Sequence, residues 1–136
     1  MIKIATEQDE FLINEYRKKY FGYKELAPIP INENVICIYD DASDDFILGE
    51  LGHDKGEPVW VVQCFKASVG NISPLIKASG EKAKSMGHLD TPVIWLPQKN
   101  IIREMAVNTL LNPSERIING KKFWECPARK TLMRLS

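Results

Sequence analysis

The side chains that could do chemistry in this chain are few, and each has a local context that narrows its use. Cys64 paired with His53 or His88 would make a nucleophile and its base. Cys64 lies inside Val59-Trp60-Val61-Val62-Gln63-Cys64-Phe65, the most apolar stretch of the chain. A thiol buried there is held protonated, and the residue reads as an inert core cysteine. Two histidines and three cysteines show no metal-ligand spacing, and no metal is expected. His88 follows Gly87 at the end of a helical pattern, where a cation is favoured by the helix dipole, so capping is its plain role. Asp40, Asp41, Asp44 and Asp45 place four carboxylates in six residues. The run lacks the glycine and the distal glutamate of a calcium loop and reads as a solvated hairpin turn. Lys66, Lys77, Lys82, Lys84 and Lys99, with Lys121, Lys122, Arg129, Lys130 and Arg134 near the end, could meet a phosphate. Their spacing suits solvated helix and strand faces. Trp60, Trp95 and Trp124 fall on predicted strands and read as core rather than as a stacking platform.

The elements that must position these groups belong to one domain spanning residues 1–136. Apolar residues make up 44% and charged residues 26% of the 136-residue chain, the balance of an ordinary globular protein. The formal net charge is zero, which disfavours a nucleic-acid partner. No apolar run approaches the roughly 20 residues of a membrane span, and no membrane partner is expected. Met1 to Ile4 alternates and has no signal-peptide core. With three cysteines and no Cys-x-x-Cys, the chain reads as a reduced, cytoplasmic protein with buried thiols.

Ile2 and Ile4 alternate as a short strand. Thr6 to Asp9 starts a helix that carries Phe11, Leu12, Tyr16 and Tyr20 at helical spacing and ends near Gly22. Ala27-Pro28-Ile29-Pro30-Ile31 must be extended, because prolines fix their own φ and restrict their predecessors. Val35 to Tyr39 and Phe46 to Leu51 are strands about the acidic turn, with Gly49 marking a bulge or a close approach. Gly52 to Gly56 is a second turn, and Val59–Phe65 follows as a central strand. Ser73-Pro74 opens a helix reaching about Met86, in which Gly80 suggests close packing against a sheet. Pro92 to Leu96 is another buried strand. Asn100 caps a helix carrying Ile101, Ile102 and Met105, stopped by Pro113. Asn119-Gly120 suits a type I′ hairpin between Glu115–Ile118 and Lys121–Cys126. A rival pairing keeps Arg116–Cys126 as one bulged strand turning at Pro127-Ala128-Arg129. In both, Thr131 to Leu135 closes the chain as a strand. The expected class is α/β (α+β), a mixed and mainly antiparallel twisted sheet with about three helices.

This order, β-α-β-β-β-α-β-α-β-β, resembles the GCN5-related N-acetyltransferase fold. In that family acyl-CoA lies where the fourth and fifth strands part, and its pyrophosphate meets N–H groups at the start of the following helix. The resemblance places that loop at Lys66-Ala67-Ser68-Val69-Gly70-Asn71-Ile72 and implies acetyl-CoA held by Lys66, Ser68, Gly70 and Asn71. The family's glycine positions fall here on Val69 and Asn71, so Gly70 is one residue out of register. Pro74 removes an N–H close by. The tyrosine that the family often uses as acid has no counterpart between Ile101 and Leu110, which leaves the catalytic residues unassigned. Glu50 and Glu57 are the carboxylates eligible as a base. The chain is also similar to small acetyltransferase-like proteins of short-tailed phages, including internal virion proteins, through Gly52–Val62, Val93–Asn100 and the closing strands. Two functions follow from the resemblance. One is transfer of an acetyl group from acetyl-CoA to the amine of a small molecule or protein. The other is a catalytically inactive domain that meets a protein partner as a virion or host-interaction component, in the host cytoplasm or the virion.

Overall fold

The computed structural model describes residues 1–22 and 27–136. Along the chain lie β1 (Ile2–Ile4), α1 (Glu10–Tyr20), β2 (Val35–Asp40), β3 (Phe46–Asp54), β4 (Glu57–Lys66), α2 (Ile72–Ser85), β5 (Val93–Trp95), α3 (Ile101–Leu111), β6 (Ser114–Ile118), β7 (Lys121–Glu125) and α4 (Ala128–Leu135). The strands form one mixed sheet in the order β1-β2-β3-β4-β5-β7-β6. β4 and β5 run parallel, and every other neighbouring pair is antiparallel. The mixed α+β class is as expected, with four α-helices among the described residues where about three were expected.

Both faces of the sheet are covered, which is why β2 reads as a continuous apolar run rather than an alternating one. Val35, Cys37 and Tyr39 join Ile13 of α1, Phe46, Leu48 and Cys64 on one face. Ile36 and Ile38 join Trp60, Trp95 and residues of α2, α3 and α4 on the other. β4 lies in the middle of the sheet. Cys64, Ile94 and Trp95 are buried, while Val61 and Val93 keep partial exposure.

Three local expectations are corrected. Thr131–Leu135 is part of a helix, not a strand. Read from Ala128, the chain places Ala128, Thr131, Leu132 and Leu135 at i, i+3, i+4 and i+7, one helical face, and its Ala, Arg, Lys, Leu and Met residues all favour helix. The terminal pairing is therefore the hairpin at Asn119-Gly120, where both residues have positive φ, 51° and 76°, and Ile118 pairs with Lys121. The turn expected over Gly52–Gly56 shrinks to Lys55-Gly56, with φ of 52° and 80°, and β3 and β4 pair as far as Asp54 and Glu57. Gly80 packs against α4 rather than the sheet: a Cβ there would stand 3.3 Å from Leu132 Cδ2.

The bulge expected near Gly49 is present, and its extra residue is on β4. Leu48 opposes Cys64 and Gly49 opposes Val62, which leaves Gln63 unpaired in that register. Caps follow the sequence more closely. Asn100 Oδ1 accepts from the Arg103 N–H at 3.0 Å, and α3 ends at Asn112 with φ of 45° ahead of Pro113. Arg134 donates to the carbonyls of Leu110 and Thr109 and Lys130 to that of Asn112, so part of the basic set at the chain end closes a helix terminus.

Candidate functional site

The expected site is the loop between β4 and α2 together with the gap beside β4. β5 shares two register pairs with β4, Trp60 with Val93 and Val61 with Ile94, and pairs with β7 along its other edge before it ends at Trp95. β4 runs on to Lys66, so its last residues lack a strand neighbour on that side among the described residues. Side chains of α3 and α2 line this space without closing it. Val107 and Leu111 are buried beside Phe65, Ile76 and Trp95, and the Arg103 guanidinium lies over the Phe65 ring at 5.7 Å. Arg103 also donates to Gln98 Oε1 at 3.0 Å, and Glu104 holds both the Gln98 N–H at 2.8 Å and the Trp124 indole N–H at 3.1 Å. These contacts fasten the segment after β5 to α3.

Lys66, Ser68 and Asn71 are brought together, and a carboxylate of the chain itself occupies their centre. Asp45 Oδ2 accepts from the Ser68 N–H at 3.0 Å, the Ser68 hydroxyl at 2.8 Å and Asn71 Nδ2 at 2.9 Å. Its other oxygen receives Lys66 Nζ at 3.4 Å, and Lys66 is also paired with Asp44. Asn71 Nδ2 reaches Asp40 Oδ2 at 2.9 Å as well. Asp45 is 5% exposed. Burial alone would push its carboxyl upward. The Ser68 N–H, the Asn71 amide, the Ser68 hydroxyl and the Lys66 charge overcome that and hold it below the usual carboxylate range. The Lys66 ammonium likewise holds Asp44 low. At Asp40 the Ala42 N–H, the terminal amine and Asn71 bring the carboxyl down to about 2.

The acidic run is thus not the uniformly solvated turn that its composition suggests. Asp45 adjoins Phe46 at the start of β3 and turns inward onto the next loop, a role that a carboxylate count does not reveal. The available signal was its position, directly against an apolar strand. Gly70 takes no part in this network. It is exposed, and a Cβ built on it meets nothing within 4 Å. Pro74 is the third residue of α2 rather than the first, still among positions whose N–H has no helical partner.

The other candidates lie apart. Glu57 is at the far end of β4, roughly 30 Å from Lys66 at about 3.3 Å per residue. It belongs to an ion network in which Arg116 on β6 meets Asp54 at 2.9 Å, Glu125 at 3.1 Å and Glu57 at 3.6 Å. Glu50 is half-buried in β3 opposite Val61. Cys64 is buried, and burial pushes its thiol up to about 11, too high for a nucleophile at neutral pH. His88 lies past the end of α2, where Gly87 turns left-handed at φ of 81° and the His88 N–H reaches Ala83 O at 2.9 Å; its Nδ1 meets the Thr91 hydroxyl at 2.9 Å. Cys37 and Cys126 are also buried, and none of the three cysteines is disulfide-bonded. Among the described residues no group of His, Cys, Asp and Glu is placed to hold a metal ion, and no helix is long and apolar enough to cross a membrane. No protein-family model matches the chain, and no curated protein matches it.

Proposed function

We propose that this chain is an acetyltransferase-like domain that does not use acyl-CoA and acts by binding a protein partner. The strand order, the single parallel pair β4/β5 and the helix after β4 support kinship with the GCN5-related N-acetyltransferases. One observation carries the rest of the reading: the donors that would meet a pyrophosphate are engaged by Asp45, and Asp44 and Asp40 stand beside it. A phosphate entering this loop would have to take the donors from a carboxylate that already matches them. It would also face like charge. At about 4 Å and an effective dielectric of about 20, each pair of unit charges repels by about 4 kcal/mol before screening. A protein partner on retained surfaces is the role that the likeness to small phage proteins suggests.

Calorimetric titration of acetyl-CoA and desulfo-CoA into the purified protein tests this directly. The expected result is no saturable heat up to millimolar ligand. Micromolar affinity for either, lost in Gly70→Asp, would overturn the reading and restore acetyl transfer to an amine as the function.

A further inference from the structure

Between the β3–β4–β5 face of the sheet and the layer made by α2, α3 and α4 lies a cavity of about 70 Å³. Its walls are hydrocarbon from residues such as Ile36, Ile47, Val107 and Leu111, with a small polar contribution. It reaches from Phe65 and Gln98 at the parting of β4 and β5 inward to Ala83 and Ala128. The half-buried Val62, Ser79 and Gln98 are lining residues that still see solvent.

The polar side chains in these walls sort into two kinds. Ser79 Oγ donates to Ile76 O at 2.8 Å, Thr131 Oγ1 and Cys126 Sγ meet at 3.4 Å, and the Gln98 amide is held by Arg103 at 3.0 Å and Leu96 O at 3.3 Å. Trp60 and Trp95 differ. Both line the cavity, at 2% and 6% exposure, and the indole N–H of each is buried with no hydrogen-bond partner among the described residues. An indole nitrogen is a donor only, and a buried donor without an acceptor is destabilising, so natural cores seldom keep one unless something supplies the acceptor. Here the two indoles that carry such donors both line one hydrocarbon-walled space, and Trp60 also meets the His88 ring edge-on at 5.3 Å.

We propose that this cavity is a binding site for a small uncharged molecule with an apolar body and a carbonyl oxygen, the oxygen accepting from the Trp60 or Trp95 N–H. Charge is excluded by the walls, which hold no ionised side chain to pair it. The size follows from volume. An engineered apolar cavity of about 150 Å³ admits benzene, and this one has about half that space, so the occupant has only a few heavy atoms. The Asp45 loop contributes no residue to this lining.

The test uses an isosteric pair, cyclobutanone and methylenecyclobutane, which differ in C=O against C=CH2. Each is titrated into the full chain while the three indole N–H resonances are followed by nitrogen-15 correlation NMR and assigned from single Trp→Phe variants. The expected result is a saturable shift of the Trp60 or Trp95 signal by cyclobutanone, with at least tenfold weaker binding of the hydrocarbon. Trp124, whose N–H is held by Glu104, is the internal reference and should not move. Trp95→Phe and Trp60→Phe keep an aromatic ring and lose the N–H, so the variant of the residue that responds should reduce the preference for the ketone below threefold. The proposal is overturned if neither probe saturates, if the hydrocarbon binds as well as the ketone, or if only Trp124 responds. Should a variant fail to fold, the titration of the parent protein already decides.

Discussion

Replacing Asp45 removes the acceptor that ties the β2–β3 turn to the loop after β4. Its Oδ2 takes three hydrogen bonds, from the Ser68 N–H, the Ser68 hydroxyl and the Asn71 amide, and its Oδ1 faces Lys66 at 3.4 Å. A hydrogen bond to an ionised group contributes about 1.5–3 kcal/mol net. Ser68 is exposed enough to regain water, and Asn71 keeps Asp40, so the three do not add fully. Asp45→Ala should therefore cost about 2–3 kcal/mol at pH 7, and Asp45→Asn, which keeps an acceptor but turns an amide toward Lys66, about 1–2 kcal/mol. The acid dependence gives a second, independent reading. The folded carboxyl lies below its unfolded value of about 3.9, so the unfolded chain takes up the proton first. The stability contributed by ionised Asp45 is complete above that value and is lost as the pH falls through the folded pKa. The asparagine variant has no proton to take up. Asp40 and Asp44 share Asn71 and Lys66 with Asp45, so the difference also contains the change in their coupling. Urea denaturation of the parent and both variants from pH 7 to pH 3 should show a gap that is widest at neutral pH and narrows below about pH 4. A gap under about 0.5 kcal/mol for Asp45→Ala at pH 7, or one that stays constant on acidification, would refute the view that Asp45 works as the loop's internal anion.

Gly120→Val should lower stability by roughly 1 kcal/mol or more, since φ at Gly120 is 76° and a β-branched residue resists that region; an unchanged thermal midpoint would contradict the tight turn. Gly80→Leu should destabilise by about 2–3 kcal/mol through overpacking against α4, whereas Gly80→Ala should stay within about 1 kcal/mol of the parent, because its Cβ meets the movable end of Leu132 at 3.3 Å. Equal effects of the two in thermal unfolding would mean that α4 does not lie against α2. Arg116→Gln leaves Asp54 and Glu125 partly buried without their cation and should cost about 2 kcal/mol in denaturant titration, with much of the loss recovered in Asp54→Asn/Arg116→Gln.

The sequence by itself determined the elements whose signals are local. Asn119-Gly120 signalled its hairpin through the positive φ that such a turn needs, and the structure decided it against the rival turn at Pro127-Ala128-Arg129. Asn100 and Pro113 set the limits of α3, and the apolar stretches at Val35–Tyr39 and Val59–Phe65, the second interrupted at Gln63, announced strands. Asp45 was legible only as one carboxylate in an acidic turn, because its partners Ser68 and Asn71 are 23 and 26 residues away and meet it only once β3 and β4 pair. Thr131–Leu135 reads equally as a strand in a window of five residues. Its helical period shows only when Ala128 is included, and the tertiary structure decides for helix because Thr131 and Leu132 find the space left by Gly80 on α2. The cavity and its two unpartnered indoles belong wholly to the tertiary level. Burial of Trp60 and Trp95 follows from the strand pattern, whereas whether an N–H finds an acceptor depends on which side chains the helices of the opposite layer bring to it.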